Sequence, residues 1–142
     1  NLLISGYPIM FVGIPQSRVK LFEEDQMKRR EMYTIEIEPL DYRDDKQKQI
    51  LLEYCADLSI ILKEKGITRE YSDFINEDVL RCLCEAGGGL LGGITRIVQK
   101  ASEIAFLEDA KHVERKHLAA AASRVRGFCT YNPFTEGLRA TA

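Results

Sequence analysis

The stretch of this sequence that is best suited to bind a ligand is a glycine cluster that leads into a helical pattern. Five glycines lie between residues 87 and 93, and Arg96 follows them. Glycines let a backbone approach a ligand closely, and the N–H groups at a helix N-terminus attract phosphate, to which an arginine could add a forked hydrogen bond. No Gly-Lys-Ser/Thr follows and no strand precedes, so the cluster is not a P-loop. The alternative is that the glycines only end one helix and begin the next, with Arg96 in solvent.

A second candidate is the pair Arg29 and Arg30, which closes a short helical pattern just before a predicted strand. Two interpretations stay open. Cations at a helix C-terminus complement the helix dipole. An arginine in this place could also stabilise the charge that spreads over a transferring phosphate on a neighbouring subunit.

Two further features near the end of the chain allow a structural and a functional interpretation. The last helical pattern is locally basic, which fits a solvated face or contacts with phosphates or with an acidic neighbour; its basic residues are Lys111, Arg115, Lys116, Arg124 and Arg126. Asn132-Pro133-Phe134 combines a turn former with an aromatic residue that we expect to be exposed. This segment is either a local hydrophobic tie or a docking element.

The cysteines and histidines do not have the spacing of a metal site, and we predict none. Cys82 and Cys84 diverge by about 200° on a helix. His112 and His117 are five residues apart, and we expect both to be partly exposed. With Cys55 and Cys129 the chain has four cysteines, which we expect to be reduced and packed in the core. No Ser/His/Asp, Cys/His or paired-carboxylate arrangement supports hydrolytic chemistry by this chain.

Two apolar segments predict strands that would precede the helical part of the chain. Ile9 to Gly13 is continuously apolar, as in a strand buried on both faces, and Tyr33 to Ile37 is the other strand candidate. A short helix with Val19, Leu21, Phe22 and Met27 lies between them. Because two strands cannot form a parallel sheet alone, we expect an α/β remnant, the last strands of a larger sheet, and treat the sequence as a fragment.

The rest of the chain predicts a helical subdomain. Apolar residues recur every three or four positions, and glycine or asparagine stands at several helix ends. The predicted helices are Asp45–Lys65, which ends at Gly66, a short helix capped by Asn76 that stops at Gly87, Gly92–Asp109 and Glu114–Arg126. From Gly127 onward there is no periodicity, which predicts a loop or an extended tail.

Composition places the chain among soluble globular proteins, and we expect it in the cytoplasm. Of its 142 residues, 45% are hydrophobic and 30% charged, which permits a buried core. No apolar run approaches the ~18 residues that span a membrane. The net charge of −2 and the pI of about 5.8 weaken the hypothesis of a nucleic-acid-binding helical domain, because there is no general basic excess.

Three stretches of the chain together resemble the C-terminal half of an AAA+ ATPase, and more narrowly the TniB and TnsC group of transposition ATPases. The first is Pro8-Ile-Met-Phe-Val-Gly-Ile-Pro-Gln16. The second is Lys28-Arg-Arg30, followed by Ile35-Glu-Ile-Glu-Pro-Leu40. The third is Gly92-Gly-Ile-Thr-Arg-Ile-Val98 with Ala101 and Ala105. The Asn132-Pro133-Phe134 ending is also similar to that group.

The resemblance implies an organisation and a set of site residues. Residues 1–42 would be the end of an α/β nucleotide-binding core, 43–127 a helical lid and 128–142 an extended tail. Arg30, or Arg29 if the register slips, would be an arginine finger. Arg96 would be the sensor 2 arginine beside Gly92 and Gly93. Gln16, or Ser17, would serve the sensor 1 region, where Ile14 stands in place of a polar residue.

The resemblance also implies a function for the longer parent protein. That parent would be an ATPase with ATP and Mg²⁺, assembling as a homo-oligomer on duplex DNA and recruiting a transposase, with a target-selection protein as another partner and no membrane. This chain lacks Walker A and Walker B, so we expect no bound cofactor and no activity from it alone. The alternative is a standalone helical protein-interaction module without nucleotide binding.

Overall fold

A computed structural model describes residues 10, 12–14, 17, 33, 35–125 and 127–138 of the chain. The chain divides into two units, Asn1–Ile37 and Glu38–Ala142. The second unit is helical, and its elements are α1 (Asp45–Glu64), α2 (Glu77–Ala86), α3 (Leu91–Leu107), α4 (Arg115–Arg124) and the single turn α5 (Pro133–Glu136).

The first two helices begin and end where the sequence predicts. The Asp44 carboxylate accepts a hydrogen bond from the Gln47 N–H at 2.9 Å and caps α1, and Gly66 follows its last turn with a φ of +69°. Asn76 caps α2 by accepting from the Asp78 N–H at 3.1 Å. Acidic residues in the first turn of α2 stabilise the helix, because their negative charge lies at the positive end of its dipole.

The later elements differ from their predicted bounds at the ends. Helix α3 lies within the predicted range Gly92–Asp109 except for its first residue, Leu91. Helix α4 is shorter than predicted, since Val125 is extended, and Arg126 lies outside the described residues. The turn α5 falls in the part of the chain that we expected to be an extended tail. A single turn is too short to show a helical period in sequence.

The core of the second unit collects the apolar face of every helix. Helices α3 and α4 make the most extensive contact, and α2 packs on α1, α3 and α5. The side chains at its centre come from all five elements and from the α1–α2 connection; they include Leu51, Cys55, Phe74, Leu80, Leu83, Ile94, Ile97, Ala101, Leu118, Ala121 and Phe134. This core holds the glycine cluster, the basic helix and the C-terminal turn in fixed places.

The predicted α/β remnant is wrong for the part of the chain that the structure describes, which contains no strand or sheet. In the segments expected to be strands, the described residues form no β-ladder; they are coil and exposed to solvent. Val12 is 87% exposed and Ile37 is 92% exposed. An isolated strand pair is marginal in water, so an apolar run without neighbours to cover both faces does not specify a sheet. The short helix predicted between them lies outside the described residues.

Candidate functional site

The glycine cluster forms a tight elbow between α2 and α3. Gly93 in the first turn of α3 packs backbone to backbone against Gly87, and a Cβ on Gly93 would collide with the Gly87 carbonyl oxygen. Gly89 has a φ of +70°, and its carbonyl oxygen accepts a hydrogen bond from the Leu40 N–H at 2.8 Å. These glycines therefore let α2, α3 and the segment before α1 approach closely.

Gly92 and Arg96 differ from this packed set because they face outward. Both are exposed, and a Cβ on Gly92 would have no neighbour within 4 Å. They are four residues apart on α3 and so share one face of the helix. Leu90 precedes the helix without a side-chain cap, and the first turn has no acidic residue. The N–H groups at this helix end are thus left without a side-chain acceptor beside an open surface.

The structure brings together only part of the predicted site. Arg96, Gly92 and Gly93 lie on the first turns of α3, with Gly93 buried by its packing role and Arg96 in solvent. Arg29, Arg30 and Gln16 lie outside the described residues. Ser17 is described, and its N–H donates to the Ile14 carbonyl oxygen at 2.9 Å.

The basic charges around the start of α4 are matched by acidic side chains of the same unit. Arg115 forms an ion pair with Asp78. The Lys116 ammonium lies 3.4 Å from Glu108 and 3.5 Å from Glu114, and Lys111 lies 3.5 Å from Glu70. This pairing leaves these cations less available for DNA phosphates than the sequence suggests.

Asn132, Pro133 and Phe134 form a local tie in this structure. The Asn132 side chain caps α5 and donates to the Ala119 carbonyl oxygen and to the Ser123 hydroxyl, each at 2.7 Å. Phe134 is buried, which contradicts the expectation of an exposed aromatic residue. The Arg115 guanidinium lies 5.6 Å from the centre of the Phe134 ring. Backbone and side-chain groups of α4 therefore hold the C-terminal turn.

Sequence reasoning missed the role of His117, which is 1% exposed rather than partly exposed. Its Nδ1 accepts a hydrogen bond from the Glu114 N–H at 2.9 Å, and its Nε2 lies 3.0 Å from the Glu108 carboxylate. The contact with His117 and then that with Lys116 lower the pKa of Glu108. The available signal was a capping-box pattern with histidine at the third helical position in place of Glu or Gln. His112 is half-buried, as expected.

Cys55, Cys82 and Cys84 are buried, as expected, whereas Cys129 is only half-buried; none of the four forms a disulfide in this structure. Cys82 and Cys84 face different neighbours, with their Sγ atoms 3.5 Å from the Pro133 carbonyl oxygen and 3.8 Å from that of Leu40. Burial raises the pKa of the Cys55 thiol to about 12. Within the described residues, no three His, Cys, Asp or Glu side chains are grouped as metal ligands.

A groove of about 610 Å³ runs between α1 and α3. Its apolar lining includes Leu58, Leu62, Ile67, Val98 and Phe106. Phe106 is 67% exposed at its edge. We call this feature the α1–α3 groove.

Comparison with known proteins adds no relative to these observations. The chain matches no protein-family model, no curated protein and no solved structure. In the ranges that the structure describes, none of the helices combines the length and the apolar character needed to cross a bilayer.

Proposed function

We propose that this chain is the C-terminal part of an ATP-dependent regulator of DNA transposition, similar to the TniB and TnsC group, and that its helical body serves as the lid of a nucleotide site. The observation that carries the proposal is the exposed face of α3 where Gly92 and Arg96 adjoin uncapped N–H groups. A phosphate there would meet the positive helix end and a guanidinium. The lid role falls on the helical body, and no sheet is proposed for residues 1–42.

In this proposal each site residue has a separate task. Arg96 binds a phosphate oxygen through its guanidinium, and the open space at Gly92 admits that phosphate. Gly93 keeps the helix end close to α2. By the resemblance, Arg30, or Arg29, has the task of the arginine finger toward the nucleotide of a neighbouring subunit, and Gln16 has the sensor 1 task. When bound, ATP and Mg²⁺ supply the transferable phosphoryl group and neutralise its charge.

The proposed partners follow from that task. The parent assembles as a homo-oligomer on duplex DNA, and closure of the helical body over the nucleotide favours assembly, while hydrolysis favours release. The assembly recruits the transposase and meets a target-selection protein. This chain by itself lacks the Walker residues, so it binds ATP weakly and does not hydrolyse it.

The test is ATP turnover and assembly on DNA by the full-length parent with Arg96→Ala. We expect turnover to fall by about tenfold or more, the equivalent of one or two charge-assisted hydrogen bonds. Arg96→Lys keeps the charge but loses the fork, so it should recover turnover only in part. Lys100→Ala is the matched control, because it removes a cation one turn further along the same helix. The Lys100 side chain pairs with Glu103 and has no task at the nucleotide in this proposal.

Unchanged ATP turnover in Arg96→Ala would reject the sensor 2 role of Arg96. Unchanged turnover after Arg29 and Arg30 are also replaced would reject the arginine-finger role. Saturable micromolar binding of ATP to this chain alone, measured by calorimetry, would contradict the lid role. A gene sequence that encodes no Walker A and B pair upstream of Asn1 would reject the proposal as a whole.

A standalone helical interaction module remains the second candidate, and the α1–α3 groove is the observation that favours it. Its lining includes Thr95 and Gln99 of α3 but not Arg96 or a glycine of the elbow. Under this alternative, Phe106→Ala would abolish binding of the protein partner, and Arg96→Ala would leave that binding unchanged. The nucleotide proposal expects the opposite pattern.

A further inference from the structure

The corner between α3 and α4 contains a buried histidine whose two ring nitrogens face different partners. On one side, the Glu114 backbone N–H points at Nδ1 of His117. A backbone N–H only donates, so Nδ1 must be the acceptor and carries no proton. On the other side, Nε2 lies 3.0 Å from the Glu108 carboxylate. The neutral ring therefore holds its proton on Nε2 and donates it to Glu108.

This arrangement joins the end of one helix to the start of the next. Glu108 follows the last residue of α3, and Glu114 is the N-cap residue of α4. We call Glu108, Glu114 and His117 the corner clasp. The ring is 1% exposed, so water cannot replace a lost partner.

The charged groups near the clasp come from several segments. Lys116 contacts the carboxylates of Glu108 and Glu114 from α4 itself. Asp109, next to Glu108, is bound by Arg69 from the connection between α1 and α2. Lys111 and His112, which precede α4, pair with Glu70 of that same connection. Within the described part of the chain, the Glu108 carboxylate is the one charged group within hydrogen-bond distance of the His117 ring.

We propose that the corner clasp is a proton-sensitive switch, in which neutral His117 fixes the start of α4 and protonation of its Nδ1 releases it. A proton on Nδ1 replaces the acceptor by a donor and sets it against the Glu114 N–H. The cap hydrogen bond is lost, although the contact with Glu108 can persist as an ion pair. The first turn of α4 then frays.

Fraying of this turn also affects α2 and α5, because Arg115, the first residue of α4, contacts both of them. Its guanidinium pairs with Asp78 of α2 and lies 3.4 Å from the Phe134 carbonyl oxygen of α5. A frayed first turn moves this side chain and weakens both contacts. The switch thus couples the protonation of one buried ring to the packing of three helices.

The experiment measures amide hydrogen exchange of Glu114, His117 and Leu118, whose N–H groups donate hydrogen bonds in this turn, in the full chain between about pH 7.5 and about pH 5.5, corrected for the intrinsic pH dependence. Histidine is the side chain that ordinarily changes its charge within this range. We expect protection to fall at least about tenfold across it. Glu108 does not change its own charge within this range, because its pKa lies below its usual 4.5. At the upper end, nitrogen spectra should show His117 protonated on Nε2 alone.

Two variants separate the switch from general acid sensitivity. His117→Gln places at the third helical position a side chain that accepts the same cap hydrogen bond but does not titrate, so protection should become independent of pH. His112→Gln removes the other histidine and should keep the wild-type response. Glu108→Gln removes the counter-ion of the charged ring and should move the opening to lower pH.

The proposal is overturned by a wild-type protection that does not change with pH, by an unchanged response in His117→Gln, or by a neutral ring protonated on Nδ1. The last measurement needs no variant, so the proposal stays testable even where a substitution prevents folding.

Discussion

Gly87 and Gly93 touch backbone to backbone where α2 ends and α3 begins, and neither position has room for a side chain. Gly93→Ala should therefore lower the free energy of unfolding by about 1–3 kcal/mol, because the added methyl group forces the two helices apart. Gly92→Ala is the matched control one residue earlier. Its Cβ would meet open space, and alanine favours helix, so stability should stay the same or rise by up to about 1 kcal/mol. Urea denaturation of both variants measures the difference, and equal stabilities would contradict the tight elbow.

Asn132 connects the C-terminal turn to α4 through both ends of its amide. Asn132→Ala removes the cap acceptor for the Phe134 N–H and the two donated hydrogen bonds, so we expect a loss of about 2–3 kcal/mol in the free energy of unfolding. Asn132→Asp keeps the cap acceptor but loses both donors. It should also be destabilised, because a carboxylate would face the Ala119 carbonyl oxygen. A wild-type melting temperature for Asn132→Asp would show that α4 does not hold this turn.

The four cysteines should react with thiol reagents in two classes. Cys55, Cys82 and Cys84 are buried, and burial raises the pKa of each thiol, so little reactive thiolate forms at neutral pH. Cys129 is half-buried and should react first in the native protein. Cys129→Ser should abolish this fast phase while the slow phase persists at the rate of unfolding. Rapid modification of Cys55 under native conditions would contradict the packing of α1.

The buried thiol of Cys55 also predicts a loss of stability at high pH. Its pKa rises from 9.0 to about 12 on folding, so the folded state favours the neutral thiol. The stabilisation is complete below pH 9, where the thiol of the unfolded chain is also protonated, and is lost as the pH rises towards 12. Unfolding releases a proton in this window, which costs up to about 1.4 kcal/mol per pH unit.

Cys55→Ala is the control for this pH dependence. It should be less stable at neutral pH, since it leaves a small cavity, but its stability should fall less steeply above pH 9. Chemical denaturation at several alkaline pH values gives both slopes. Parallel curves for wild type and variant would assign the alkaline loss to other groups.

Local signals in the sequence predicted the helices of the second unit well. Gly66 and Asn76 act within a few residues of their own position, so capping chemistry sets the end of α1 and the start of α2 without help from the rest of the fold. The regular spacing of Ile94, Ile97 and Ala101 likewise identifies the buried face of α3. These elements could be predicted because neighbours in sequence determine them.

The failures concern features that depend on distant residues. The apolar residues of Ile9 to Gly13 and Tyr33 to Ile37 predicted strands, but a strand needs pairing partners, and the described residues there have none in a sheet. Phe134 is buried because α4 and α2 surround it, which no pattern around residue 134 indicates. The clasp at His117 depends on Glu108, nine residues away across a corner.

The candidate site was predictable only in outline. The spacing of Gly92 and Arg96 predicts one shared helix face, and both are exposed there. The sequence did not reveal that Gly93 is used for packing against Gly87, because the two glycines meet only after α2 and α3 fold together. Adjacent glycines in one cluster thus differ in role, and only the tertiary contacts distinguish them.

The position of the C-terminal turn has a consequence for synthesis in the cell. Phe134 belongs to the same core as Leu80 and Leu118, and the Pro133 carbonyl oxygen meets the sulfur of Cys82, 51 residues earlier. A growing chain cannot complete this core until the last of these residues leaves the ribosome tunnel. Until then the surfaces of α2 and α4 that pack against the turn stay uncovered, and incompletely packed apolar surface of this kind favours aggregation.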